Sequence, residues 1–193
     1  SIPKRPTAIE LPEHVTRWAD EVIDSKPSVL LFPHAYAGSR MWVHRYWLEV
    51  IEFLQSRGIQ TLVITENPDN VFKGTKRYFF PMDWYNIIAL MQRAILVLGL
   101  DSGPMHVAGT LDVPAICLVG PTIHFGGFEY LRCEDQNHPP IFVSSPPEES
   151  PCVGCYWVGH NYVRKLCEIQ CKALYSLRPE TVINKIEQTG LIR

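Results

Sequence analysis

Apolar and polar positions along this chain follow two periods. Short, almost wholly apolar runs occur at Ser28–Phe32, Ala94–Leu100, Ala115–Gly120 and Ile141–Val143, with a briefer one at Tyr78-Phe79-Phe80, and Gln60–Thr65 holds an apolar centre between β-branched threonines. Runs of that length between turn residues read as strands buried on both faces. The stretches between them have helical spacing. Val15, Trp18, Ala19, Val22 and Ile23 share one face of Glu13–Ser25, and Trp47, Val50, Ile51 and Leu54 share one face of Trp42–Arg57, with Gly58 just past its end. Asp83 is placed to cap a helix from Trp84 to Arg93, and Pro179 opens a closing helix to Gln188 with Val182, Ile183 and Ile186 as its stripe. Strands alternating with helices predict α/β architecture, a doubly wound parallel sheet covered on both faces.

The segment Asp101-Ser102-Gly103-Pro104-Met105-His106 lies between two of the predicted strands and opens a short helix running to about Leu111. Pro104 suits a first helical turn, where its missing N–H costs nothing. Asp101, Ser102 and Gly103 therefore fall at the carboxyl end of a strand and the start of a helix. Ligands of open α/β sheets bind at that edge, and the unpaired N–H groups of the helix favour an anion such as a diphosphate. The alternative is that Asp101 or Ser102 only caps the helix.

Composition narrows the picture further. A chain of 193 residues can bury a core without staples. A net charge of −2 gives no sign of nucleic acid or a membrane surface. No apolar run is long enough to span a bilayer, and the start Ser1-Ile2-Pro3-Lys4-Arg5-Pro6 lacks the apolar core of a signal peptide. The expectation is a soluble, cytoplasmic protein made of a single domain over 1–193, with residues 1–12 as a linker or arm. There is no Gly-x-Gly-x-x-Gly after the first strand and no Gly-Lys-Ser/Thr phosphate loop, which argues against a standard dinucleotide-dependent dehydrogenase or a nucleotide triphosphatase. No organic cofactor is implied. No Ser/His/Asp or Cys/His nucleophile pattern stands out.

The motif Asp101–His106, with Gly120-Pro121-Thr122 after the next strand, resembles the signature of glycosyltransferase family 9, the ADP-heptose-dependent heptosyltransferases. His34-Ala35, Arg40-Met41-Trp42 and Trp47 are similar to a His-Ala, Lys-x-Trp and second Trp of that family, and the Pro179-Glu180-x-Val182 helix with Leu191 matches how such chains end. The resemblance implies one Rossmann-like half of a GT-B enzyme, the C-terminal half that binds the nucleotide-sugar. The acceptor-binding half, with the family's general base, would come from an N-terminal domain or partner chain. By resemblance Asp101 accepts hydrogen bonds from donor-sugar hydroxyls, while Ser102 and Gly103 offer N–H groups to the diphosphate. Arg40, where the family more often has lysine, offsets charge on the leaving ADP. Thr122 lies near the phosphates, and Glu66 or Asp69 touches the adenosine ribose. His106 is either a donor ligand or a ring tying helix to loop. The small hydroxyl residues that the heptosyltransferases carry after His-Ala are here Tyr36 and Ala37, and the Asn67-Pro68 turn replaces a glycine-rich loop.

Four of six cysteines crowd together, as Cys152-x-x-Cys155 and Cys167-x-x-x-Cys171, in a loop-rich segment spanning 145–175. Two thiolates in a tight turn bind one side of a tetrahedral ion and a second pair closes it, which suits structural zinc or iron. Disulfides or loose thiols are the alternatives, and His160 is a substitute ligand. A branch of the family that modifies autotransporter proteins is similar in carrying a four-cysteine iron site. Cys117 reads as a buried thiol and Cys133 as isolated. Trp42 and Trp47 read as packing, His44, His124 and His138 as solvent-facing, and Asp20, Glu21 and Asp24 as a solvated face.

Two functions remain in view. One is the donor-binding half of an inverting glycosyltransferase that moves a heptose-like sugar from an ADP-sugar to a hydroxyl. The other is a catalytically degenerate member kept for protein assembly, alone or as an oligomer.

Overall fold

The computed structural model describes residues 9–35, 38–65, 72, 75–79, 83–122, 136–146, 148–150, 152–155 and 171–192. In chain order the elements are α1 (Glu13–Ile23), β1 (Ser28–Phe32), α2 (His44–Ser56), β2 (Gln60–Thr65), β3 (Lys76–Phe79), α3 (Trp84–Met91), β4 (Leu96–Leu100), α4 (Gly103–Thr110), β5 (Ala115–Leu118), β6 (Ile141–Val143), α5 (Lys172–Ser176) and α6 (Pro179–Gln188). A single 3₁₀ turn, Gly38–Arg40, stands between β1 and α2.

Six strands form one parallel sheet in the order β3-β2-β1-β4-β5-β6. Alternate residues of each strand point to opposite faces, so each strand feeds two cores. Val29, Leu31, Leu96, Leu98, Leu100, Ile116 and Leu118 face Trp47, Val50, Leu54, Leu174, Val182 and Ile186 of α2, α5 and α6. Leu30, Phe32, Val97, Ala115 and Cys117 face Ala19, Ile87, Leu90, Met105 and Ala108 of α1, α3 and α4. This is the doubly wound arrangement that the alternating runs predict. A Cβ at Gly99 would fall 2.6 Å from Met105 Sδ and 3.1 Å from Phe32 Cβ, so glycine there lets α4 close onto β4 beside β1.

Several element bounds differ from the sequence reading. Trp42 precedes α2, because its indole turns into the core and donates from Nε1 to Leu177 O at 2.8 Å. The helix α5 overlaps the end of the segment expected to be loop-rich. Asp83 caps α3 as expected, accepting from Tyr85 N at 3.0 Å. Asp20 is not simply solvated: it bonds and pairs with Arg93 at the end of α3, tying α1 to its neighbour. His44 is not solvent-facing either. It is half-buried, 4.7 Å from the Phe72 ring, with Nε2 buried and unpartnered among the described residues. His138 is exposed, whereas His124, Cys133 and His160 lie outside the described residues. Among the described residues, no helix is long and apolar enough to cross a membrane.

Candidate functional site

The strand order reverses direction between β1 and β4, which are neighbours in space but far apart in sequence. The chain leaves β1 toward α2 on one face and leaves β4 toward α4 on the other. Diverging connections of this kind open a crevice at the carboxyl ends of the two strands. Arg40 reaches that crevice from the β1 side, and Asp101-Ser102-Gly103 from the β4 side.

The two sides meet there. Arg40 Nη1 donates to the main-chain carbonyl of Asp101 at 3.1 Å and stands 3.6 Å from Asp101 Oδ2. The Asp101 carboxylate is only 10% exposed and the Arg40 side chain 27%. Arg40 Nε is buried and has no partner among the described residues. A second contact links neighbouring strand ends at the same edge, with His34 Nε2 and Thr65 Oγ1 2.7 Å apart.

Capping does not account for Ser102. It occupies the N-cap position of α4, but its hydroxyl donates to Leu100 O at 3.0 Å and makes no cap bond to the helix. In the first turn Pro104 has no N–H and Met105 N donates to Ser102 O at 3.0 Å, so the Gly103 amide is the one the Ser102 side chain leaves uncapped, and the positive dipole end faces the crevice. Gly103 is exposed, and a Cβ added to it would meet nothing within 4 Å, so open space lies over this turn. His106 is exposed on the same helix. Thr122, just beyond β5, is 7% exposed, with Oγ1 buried and unpartnered among the described residues. Glu66 and Asp69, like Tyr36 and Ala37, lie outside the described residues.

Cys117 is the buried thiol that its strand predicts. Burial pushes its pKa well above the usual thiol value, and the negative charge of Asp101 adds to the effect. It stays protonated under the crevice floor and is no nucleophile.

The cysteine segment is described in part. Cys152, Val153, Gly154 and Cys155 form a tight turn, with Cys155 N donating to Cys152 O at 3.2 Å and Gly154 at φ +73°. Cys171 is buried at the start of α5, and Cys167 lies outside the described residues. Among the described residues, no three metal-ligating side chains gather in one place. Nothing in the spacing marked Gly120, Gly154 or Leu174 as neighbours of this region, since α5 is too short to show a helical period.

Residues 2–126 match the sequence profile of glycosyltransferase family 9 (heptosyltransferase). The chain belongs to that family. Over 113 residues it is 30% identical to lipopolysaccharide heptosyltransferase 3 of Escherichia coli K12, a match covering 50% of this chain and 31% of that protein. Among solved structures it resembles a family 9 glycosyltransferase of Veillonella parvula at a TM-score of 0.68 and 18% identity, covering 93% of this chain and 52% of that one. ADP-heptose lipopolysaccharide heptosyltransferase II of E. coli follows at 0.66 and 15%, with the same coverage. The iron-containing dodecameric glycosyltransferase TibC of enterotoxigenic E. coli superposes at 0.65 and 16%, covering 95% of this chain and 50% of that one. These structural likenesses establish the fold. The chain spans about half the length of the solved family members and about a third of the curated relative.

Proposed function

We propose that this chain is the donor-binding half of a family 9 glycosyltransferase, taking an ADP-sugar with a heptose-like group. The observation that carries this reading is the contact between Arg40 and Asp101 at the strand-order reversal. A guanidinium is held beside an uncapped helix end, which together suit a diphosphate. A nearly buried carboxylate stands next to it, able to accept hydrogen bonds from sugar hydroxyls. Support for adenine comes from relatives: WaaC of E. coli has been solved with ADP, and TibC with ADP-D-β-D-heptose.

In this reading the diphosphate lies on the Ser102 and Gly103 amides and Thr122, and Asp101 orients the sugar. The bond from the anomeric carbon to the ADP oxygen breaks as an acceptor hydroxyl attacks from the opposite side, inverting the centre. Arg40 offsets the charge gained by the departing ADP, a role in which a fixed cation contributes about 3–4 kcal/mol. The acceptor proton passes to a base supplied by the acceptor-binding half or a partner chain. Glu66 is assigned to the ribose, and His106 to the donor edge.

The Cys152–Cys155 turn, with Cys167 and Cys171, would hold zinc or iron in a structural role, fixing the loop; TibC is iron-containing and dodecameric, which makes an oligomer part of the same proposal. Calorimetric titration with ADP, UDP and GDP tests the donor assignment. Selective ADP binding supports it. Absence of binding to all three overturns it and leaves the assembly role.

A further inference from the structure

Gly120 stands between the end of β5 and Thr122, and two parts of the cysteine-rich segment close on it. From one side, Gly154 N, inside the Cys152–Cys155 turn, donates to Gly120 O at 2.9 Å. From the other, Leu174 of α5, three residues past Cys171, fills the space where a side chain would project. A Cβ at position 120 would come within 2.7 Å of Leu174 Cγ and 3.3 and 3.4 Å of its two methyl carbons. Leu174 is 1% exposed and packs in the core on this face of the sheet. The helix that carries it is pinned in turn, because Ser145 Oγ donates to Ala173 O at 3.1 Å.

Thr122 follows two residues on, across Pro121. Its hydroxyl is buried and lacks a partner among the described residues. Leaving such a group unpaired is costly, so its position calls for a compensating ligand. Gly120 is buried, and the approach of Leu174 leaves no space for a side chain there. A backbone gripped by a main-chain hydrogen bond and a buried leucine is a device for fixing what comes next.

We infer that the Cys152–Cys155 turn and Leu174 act through Gly120 to position the Thr122 hydroxyl, so that the cysteine-rich segment sets the affinity of the crevice for a nucleoside diphosphate. Gly120, Gly154 and Leu174 are positioning residues; Thr122 makes the contact. The inference rests on the donor-site reading given above.

A double-mutant cycle on ADP affinity tests it, read by calorimetry where every variant is folded by circular dichroism. Thr122→Val weakens ADP roughly tenfold, the loss of one hydrogen bond to a charged group. Gly120→Ala weakens it to a similar degree, and the two changes together weaken it no further than either alone. Adding Leu174→Ala to Gly120→Ala returns the room and recovers the affinity. If Gly120→Ala does not fold, Cys152→Ser with Cys155→Ser loosens the turn from its other side and enters the same cycle. Additive losses, or an unchanged affinity in Gly120→Ala, overturn the inference while leaving the donor site standing. Failure of the unsubstituted chain to bind ADP overturns the donor-site reading and this inference with it.

Discussion

Arg40→Ala removes the cation from the crevice and also strips a nearly buried carboxylate of its partner. At 3.6 Å the two charges attract by roughly 4–5 kcal/mol at an effective dielectric of about 20. Desolvation and the 27% exposure of the Arg40 side chain reduce the net contribution to about 1–2 kcal/mol. A hydrogen bond from the guanidinium to a diphosphate adds about 1.5–3 kcal/mol to binding. ADP affinity should therefore fall by roughly a hundredfold, because the contact is lost and the unpaired Asp101 carboxylate now repels the diphosphate. Adding Asp101→Asn to Arg40→Ala removes the repulsion and should recover about tenfold of that loss. Calorimetry with ADP on the two variants reads both effects. If the double variant binds more weakly than Arg40→Ala, Asp101 does not repel the diphosphate and the crevice geometry has been misassigned. If Arg40→Ala binds ADP normally, the cation has no donor role at all.

Two further outcomes follow from other parts of the molecule. Burial of Asp112 would raise its pKa, but hydrogen bonds from Asn137 N, His138 N and the Asn137 side chain outweigh this and hold the carboxyl below its usual range. A depressed carboxyl stabilises the fold above its unfolded pKa and loses that contribution as pH falls through the folded value. Asp112→Asn, which tolerates the φ of +55° there, should cost about 1 kcal/mol at pH 7 by urea unfolding, with the difference from the parent vanishing in strong acid; a difference that grows toward acid would contradict this. For the cysteine segment, elemental analysis of freshly purified, reduced protein should find about one zinc or iron per chain, the number a four-thiolate site holds, and a chelator should lower the melting temperature. Stoichiometric absence of both metals would remove the metal from the account.

The sheet was legible because its strands are buried on both faces. β1, β2 and β6 have the bounds that the apolar runs mark, and α6 those that Pro179 and its stripe mark. Contacts between distant elements were not legible. Trp42 reads as a helical residue until its indole is seen to bond Leu177 O, across most of the chain. Asp20 and His44 look like solvated groups because nothing nearby in sequence pairs with them; their partners, Arg93 and Phe72, come from other elements. At the site, spacing placed Asp101–Gly103 at a strand end, and the family resemblance singled out Arg40. The bond from Arg40 to the main-chain carbonyl of Asp101 depends on β1 and β4 being neighbours, which no local pattern specifies. Gly120 was singled out by the motif, but the close approach of Leu174 that requires glycine there was not legible until α5 was placed.

The most direct test of the donor crevice is an amide NMR titration of the assigned chain with ADP. The account predicts the largest shifts at the Ser102 and Gly103 amides and at Arg40 Nε, with little change at the opposite sheet edge around Lys26 and Asp112. Shifts centred on that opposite edge, or none at the start of α4, would contradict it.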